Sequence, residues 1–87
     1  MTVHVELFGI PRQRAGLKSI DVPAQTLGEM LRLLQQRLPQ LAESCFENGH
    51  LKSGFLANIN GKSFTTDLAA ILKEGDSVLI ISADAGG

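Results

Sequence analysis

Eighty-seven residues with a net charge of −1, 44% of them hydrophobic and 20% charged, predict one small soluble domain spanning residues 1–87. A chain this short buries only about 60–65% of the surface that its unfolded form exposes, which leaves little room for a deep catalytic cavity. The near-neutral charge gives no general pull toward nucleic acid or an anionic membrane, and no apolar run approaches the ~18–20 residues that span a bilayer. The lone cysteine, Cys45, cannot form an internal disulfide, and strand-like alternation starts at once without a signal peptide. A cytoplasmic location is expected.

The first element is read from "TVHVELFGI", in which Val3, Val5 and Leu7 point one way and His4, Glu6 and Phe8 the other. A period of two marks a strand. "PRQRAGLKS" supplies Pro11 and Gly16 as turn chemistry. "LKSIDVP" then resumes alternation through Leu17, Ile20 and Val22 as a short strand closed by Pro23, antiparallel to the first. In "TLGEMLRLLQQRLPQL" the period lengthens: Leu27, Met30, Leu31, Leu34 and Leu38 form one buried helical face. Thr26 and Glu29 have the spacing of a capping box, and Pro39 ends or kinks the helix at Leu38.

"AESCFENGHLKSG" reads as a loop with one irregular turn and a small hairpin at Asn48-Gly49. "FLANING" is the next strand, and Asn60-Gly61 suits a type I′ hairpin turn into "KSFTT". Asp67 caps a single helical turn, Gly75 breaks the chain, and "SVLIISA" is apolar on both faces, as a central strand should be. The order is strand, strand, helix, strand, short strand, strand. With the most apolar strands, first and last, parallel at the centre, this is an α+β β-grasp (ubiquitin-like) fold: a mixed sheet of four to five strands with one main helix on one face.

His4, His50 and Cys45 lack metal-ligand spacing, and Cys45 reads as a small buried hydrophobe. No oriented base, catalytic triad or phosphate-binding glycine run is present. No cofactor and no metal are expected, and the chain is not expected to be an enzyme by itself. Arg12, Arg14 and Lys18 form either a solvated turn or a docking contact for an acidic partner, and the absence of interleaved aromatics argues against RNA. Phe8, with Leu79 and Ile81, marks either an interface patch on the uncovered sheet face or a surface covered by a loop.

The end of the chain is "SADAGG". At ordinary glycine usage of ~7%, two terminal glycines arise by chance in roughly one chain in two hundred. Glycine lacks a Cβ, so Gly86 and Gly87 can thread a narrow channel and present a carboxylate without steric hindrance. Residues 83–87 form a flexible tail, with Ala83, Asp84 and Ala85 as spacer. A carboxylate is inert until activated. As an acyl-adenylate it becomes an acylating agent that accepts sulfur or an amine, so the tail is a substrate and not a catalyst.

With "VELFGIPRQRAG", the helix "TLGEMLRLLQQRLPQL", the hairpin "ANINGK", and "LKEGDSVLIIS" ahead of a terminal "GG", the chain resembles the MoaD/ThiS family of ubiquitin-like sulfur carriers over essentially its whole length. Within it the branch most resembled is the small subunit of molybdopterin synthase. The resemblance implies that Gly87 is adenylated by an E1-like adenylyltransferase of the MoeB/ThiF type with Mg-ATP. Sulfur from a cysteine desulfurase or rhodanese-type donor then replaces AMP to give a thiocarboxylate. A large catalytic subunit of the MoaE type would receive the tail, Ala85 included, and take its sulfur for molybdopterin. Phe8, Ile81 and Arg12 would be partner-binding. The tail "ISADAGG" departs from the prolines and apolar residue common in that branch. Carriers for thiazole or another product, conjugation to lysines, and a non-catalytic interaction module stay open as alternatives.

Overall fold

Strand β1 (Val3–Leu7) buries Val3, Val5 and Leu7 and leaves Glu6 exposed, as the alternation predicts. These coordinates come from a computed structural model that describes residues 2–83. A short antiparallel strand, β2 (Ser19–Val22), flanks β1 with Val3 opposite Val22 and Val5 opposite Ile20.

Between them the turn expected from Pro11 and Gly16 is a helix, α1 (Ile10–Ala15). The correction has a local cause. Pro11 occupies the first helical turn, where its missing N–H costs nothing, and Gly16 takes the left-handed conformation (φ 77°) that closes a helix, its N–H reaching the Arg12 carbonyl at 3.0 Å. Both residues punctuate the chain, but they bracket a helix and not a loop.

The main helix, α2 (Leu27–Arg37), turns Leu27, Met30, Leu31 and Leu34 into the core; Leu38, expected on that face, follows the last turn and is half-exposed. Its three leading N–H groups, which have no partner within the helix, are all satisfied. Leu27 donates to the Ala70 carbonyl and Gly28 to the Leu68 carbonyl, each at 2.9 Å, and Glu29 donates to Thr26 Oγ1 at 3.1 Å. Glu29 Oε1 in turn accepts from the Gln25 N–H at 2.7 Å, so the reciprocal cap reaches one residue further back than the expected box. The strap across the helix start also explains Gly28. A Cβ there would sit 3.2 Å from both the Cβ and the carbonyl oxygen of Leu68.

Pro39 ends α2 but also opens α3 (Pro39–Cys45), where a loop was expected. Helix α3 buries Leu41, Ala42 and Cys45 and leads directly into the hairpin of β3 (Phe46–Glu47) and β4 (His50–Leu51). That hairpin turns on Asn48-Gly49, as the sequence suggests, with both residues at positive φ.

Strand β5 (Phe55–Ile59) pairs with β6 (Ser63–Thr65) through Asn60-Gly61, both at positive φ, with the Lys62 N–H on the Ile59 carbonyl at 3.0 Å. Asp67, expected to cap a helical turn, instead holds a tight turn: its Oδ1 accepts from the Ala69 N–H at 2.9 Å. The last strand, β7 (Ser77–Ser82), lies between β1, to which it runs parallel, and β5. The sheet order β2-β1-β7-β5-β6 is that of a β-grasp, with five strands in the main sheet as expected and three helices where one was expected. The core lies between the Val3/Val5/Leu7, Val78/Ile80 and Ala57 face of the sheet and the apolar face of α2.

Two sequence stretches that looked separate, "NG" at 60 and "EGDSV" at 74–78, form one clasp. Asn60 donates from Nδ2 to Asp76 Oδ1 at 3.0 Å and accepts at Oδ1 from the Ser77 N–H at 2.9 Å. Asp76 Oδ2 accepts from the Lys73 N–H at 2.8 Å, and the Asp76 carbonyl accepts from the His4 N–H at 2.8 Å. The clasp therefore sets where β7 enters the sheet beside both β1 and β5.

The Asn60 amide, followed by the Lys73 N–H, holds the Asp76 carboxyl below its usual value. A depressed folded-state pKa contributes stability above the unfolded-state value of about 4, and that contribution is lost as pH falls through the folded-state value. Solvent screening keeps it small. In urea titrations, Asp76→Asn should lower the unfolding midpoint at pH 7, and the gap to the parent protein should close as pH falls below about 4. A gap that persists unchanged into acid would contradict the clasp's charged character.

Candidate docking face and chain exit

The helices cover one face of the sheet. Strand register defines the other. Parallel pairing of Val5 with Val78 and Leu7 with Ile80 puts those residues on the core side, so Leu79 and Ile81 share the opposite side with His4 and Glu6. Across β7, Asn58 pairs with Leu79 and Leu56 with Ile81, and Phe64 on β6 pairs with Asn58. Phe8, one residue beyond β1, continues the strand's alternation, and its N–H reaches the Ile80 carbonyl at 3.3 Å.

Exposure along this face is uneven. Phe8 is 52% exposed and Phe64 61% exposed, while Ile81 is only 8% exposed. Ile81 is buried although its register places it on the open face; it pairs with Leu56 of β5 and lies one residue beyond Ile80, the last residue of β7 paired with β1. Leu56 and Phe64 were not singled out from the sequence. Leu56 lies in "FLANI" and Phe64 in "KSFTT", and neither stretch identifies a face until its pairing in the sheet is known.

A shallow depression of about 320 Å³ lies at the β2–β1–β7 side of this face. Its lining brings together Phe8 and Arg12, which the sequence analysis had named for different reasons, with Lys18, Glu6, His4 and Leu79. Arg12 and Lys18 are both exposed. The acidic side of the depression is organised around His4, whose Nδ1 lies 2.7 Å from Asp21 Oδ1 and whose Nε2 lies 3.8 Å from Glu6 Oε1. Helix α1 thus turns the Arg12 side chain toward Phe8, which a simple turn would not have specified.

Cys45 is fully buried at the end of α3, and burial pushes its thiol pKa up, against smaller opposing effects of Lys52 and Arg14. It is a core side chain. Among the described residues no group of three or more His, Cys, Asp or Glu side chains could hold a metal ion, and no helix is long and apolar enough to cross a membrane.

The chain leaves the sheet beside β5. Phe55 pairs with Ser82, and the Ala83 N–H donates to the Gly54 carbonyl at 2.7 Å, so Ala83, expected as the start of the spacer, is still tied to the sheet. Ala85, Gly86 and Gly87, the expected working end, lie outside the described residues.

Exposure separates the two apolar residues named for docking. Phe8→Asp should change the unfolding free energy by no more than about 1 kcal/mol, whereas Ile81→Asp should cost about 3 kcal/mol or more by burying a charge. Urea denaturation of both variants checks this; an unfolded Phe8→Asp protein would show that Phe8 belongs to the core.

Comparison with known proteins agrees with this geometry. No curated protein matches the sequence. Among solved structures, the small archaeal modifier protein 1 (SAMP1) from Methanosarcina acetivorans superposes with a TM-score of 0.82 at 26% identity, covering 99% of this chain and 96% of that one. The BexX/CysO complex from Amycolatopsis orientalis matches at 0.79 and 25% identity, over 98% and 99% of the two chains. The complex of subunits 1 and 2 of the molybdopterin-converting factor from Helicobacter pylori matches at 0.67 and 23% identity over the full length of both chains, a likeness of fold. The ThiS family model matches residues 5–87. The chain belongs to the ThiS family of ubiquitin-like sulfur carriers and modifiers.

Proposed function

We propose that this chain is a sulfur carrier whose Gly87 carboxylate is adenylated and converted to a thiocarboxylate that donates sulfur in molybdopterin synthesis. In this reading the chain is the small subunit of molybdopterin synthase. It has no catalytic site of its own and works through partners. An E1-like adenylyltransferase joins the Gly87 carboxylate oxygen to the α-phosphorus of Mg-ATP and releases pyrophosphate. The terminal sulfur of a persulfide-bearing donor, a cysteine desulfurase or rhodanese, displaces AMP to form an acyl disulfide, and a second thiol cleaves this reductively, freeing the thiocarboxylate and leaving the donor sulfur in a disulfide. A large catalytic subunit receives the thiocarboxylate.

The observation that carries the reading is the chain exit. Strand β7 runs through the middle of the sheet, the Ala83 N–H, at the end of the described residues, donates to the Gly54 carbonyl, and the sequence continues with Asp84-Ala85-Gly86-Gly87. Glycine at the reacting end offers no side chain to obstruct a narrow active-site channel. Phe8, Leu79 and Ile81, rimmed by Arg12, supply the docking surface in this account, with Phe8 the exposed aromatic anchor. The neighbour solved as a complex of molybdopterin-converting subunits supports a partner-dependent role.

A second reading is favoured by the higher superposition on an archaeal modifier protein than on the molybdopterin-converting subunits. The same activated Gly87 would then acylate a lysine amine, or serve another sulfurated product.

Removing Gly86 and Gly87 separates handle from reactive end. The shortened protein should keep its circular dichroism spectrum and unfolding midpoint, yet fail to restore molybdopterin synthesis to a strain lacking the small subunit, which the full chain restores. Rescue by the shortened chain would contradict the carrier role. Failure of the full chain, with conjugates of increased mass in cells, would favour the modifier reading.

A further inference from the structure

We infer that Asn58 is the polar specificity determinant of the open sheet face, and that its amide receives the main-chain N–H and C=O of one residue on an extended segment of the docking partner. The inference rests on the docking role given to this face under the proposed function, and adds to it a residue and a chemistry. Asn58 and Asn60 stand two positions apart, and the fold uses them differently. Asn60 engages both halves of its amide, Nδ2 on Asp76 Oδ1 at 3.0 Å and Oδ1 on the Ser77 N–H at 2.9 Å. Asn58 engages neither. It is the one buried polar side chain among the described residues, 7% exposed, and its amide has no hydrogen-bond partner among them.

Register fixes the surroundings of that amide. Asn58 pairs with Leu79 on β7 and Phe64 on β6, and Leu56 precedes it by two residues on the same side of β5. Leu79 lies on the side of the sheet away from the core, so Asn58 stands within the open face with apolar neighbours on three sides. No buried side-chain nitrogen or oxygen among the described residues is both sealed from solvent and unpaired. Oδ1 and Nδ2 of Asn58 therefore reach the surface while the rest of the side chain is covered, and in the free protein water pairs them. Polar groups this deeply placed are almost always paired within the fold. Docking over the face strips the water away. A purely apolar partner would leave one donor and one acceptor unmet and is disfavoured, whereas a partner that meets both is accepted. A charged side chain is a poor match, because apolar neighbours do not solvate it and the amide carries no opposite charge. In an extended strand the N–H and C=O of one residue point to the same side, and a planar carboxamide answers that pair with one acceptor and one donor.

Asn58→Leu and Asn58→Ala separate recognition from folding. Both variants should keep the circular dichroism spectrum, and Asn58→Leu should unfold in urea at or above the parent's midpoint, since no hydrogen bond within the fold is lost. Isothermal titration against the large catalytic subunit of molybdopterin synthase, and in parallel against the E1-like adenylyltransferase, reads recognition. Toward at least one of these, both variants should bind about tenfold more weakly than the parent or worse, as expected when the partner's polar groups lose their match. The smaller alanine shows that the loss does not come from the bulk of leucine. A lowered midpoint for Asn58→Leu would make the amide structural, and undiminished binding of either variant to both enzymes would make it dispensable; each result overturns the inference. A parent that self-associates through Asn58 would assign the amide to a second copy and overturn it too. Asn58-dependent binding to the adenylyltransferase, with no binding of the parent to the large subunit, would uphold the inference and count against the molybdopterin reading. A parent that binds neither enzyme overturns both.

Discussion

The parallel pairing of β1 with β7 is the constraint on which the rest of this structure depends. It aligns Val5 with Val78 and Leu7 with Ile80, joining the most apolar parts of both chain ends into one wall of the core. Parallel neighbours cannot be joined by a tight turn, so the chain between them must cross over, and α2 does so against the core face. Pairing two strands this distant in sequence carries a loop-closure cost, and only a buried, fully bonded central position offsets it. The clasp of Asn60 and Asp76 supports that pairing at the entry of β7, where three strands meet.

One consequence is the division of labour between the sheet's faces. With the helices on one side, the other keeps two exposed phenylalanines, Phe8 and Phe64, beside a depression with both signs of charge. A second consequence is the position of the exit. Because β7 is central and last, the chain emerges from the most firmly held part of the sheet. The proposed carrier role calls for a body that does not yield when its end is drawn into a partner. Membership of the ThiS family of ubiquitin-like sulfur carriers and modifiers is consistent with the proposed function, in which the fold serves as handle and recognition surface.

Much of this was legible in the residues. Alternation located the long strands, the 3–4 spacing located α2, and Thr26 with Glu29 marked its start to the residue. The central parallel pair followed from apolarity on both faces. The two short helices were not legible, because Pro11, Gly16 and Pro39 have the same composition signature whether they interrupt a helix or frame one. The burial of Ile81 was hidden for a different reason: alternation gives the face of a side chain, not how far it is covered there. Arg12 joined Phe8 only through the geometry of α1. The glycine pair, by contrast, is a purely sequential signal, and its meaning comes from chemistry that no packing argument supplies.

The central claim is that the terminal carbonyl is the reacting atom and the folded body its handle. Intact-mass spectrometry after incubation with an E1-like adenylyltransferase, Mg-ATP, a persulfide sulfur donor and a thiol reductant tests it most directly. The account predicts a mass increase equal to the exchange of one oxygen for one sulfur, localised by fragmentation to Gly87. An unchanged mass alongside an activating enzyme that thiocarboxylates a control carrier, or sulfur found on Cys45 instead, would contradict it.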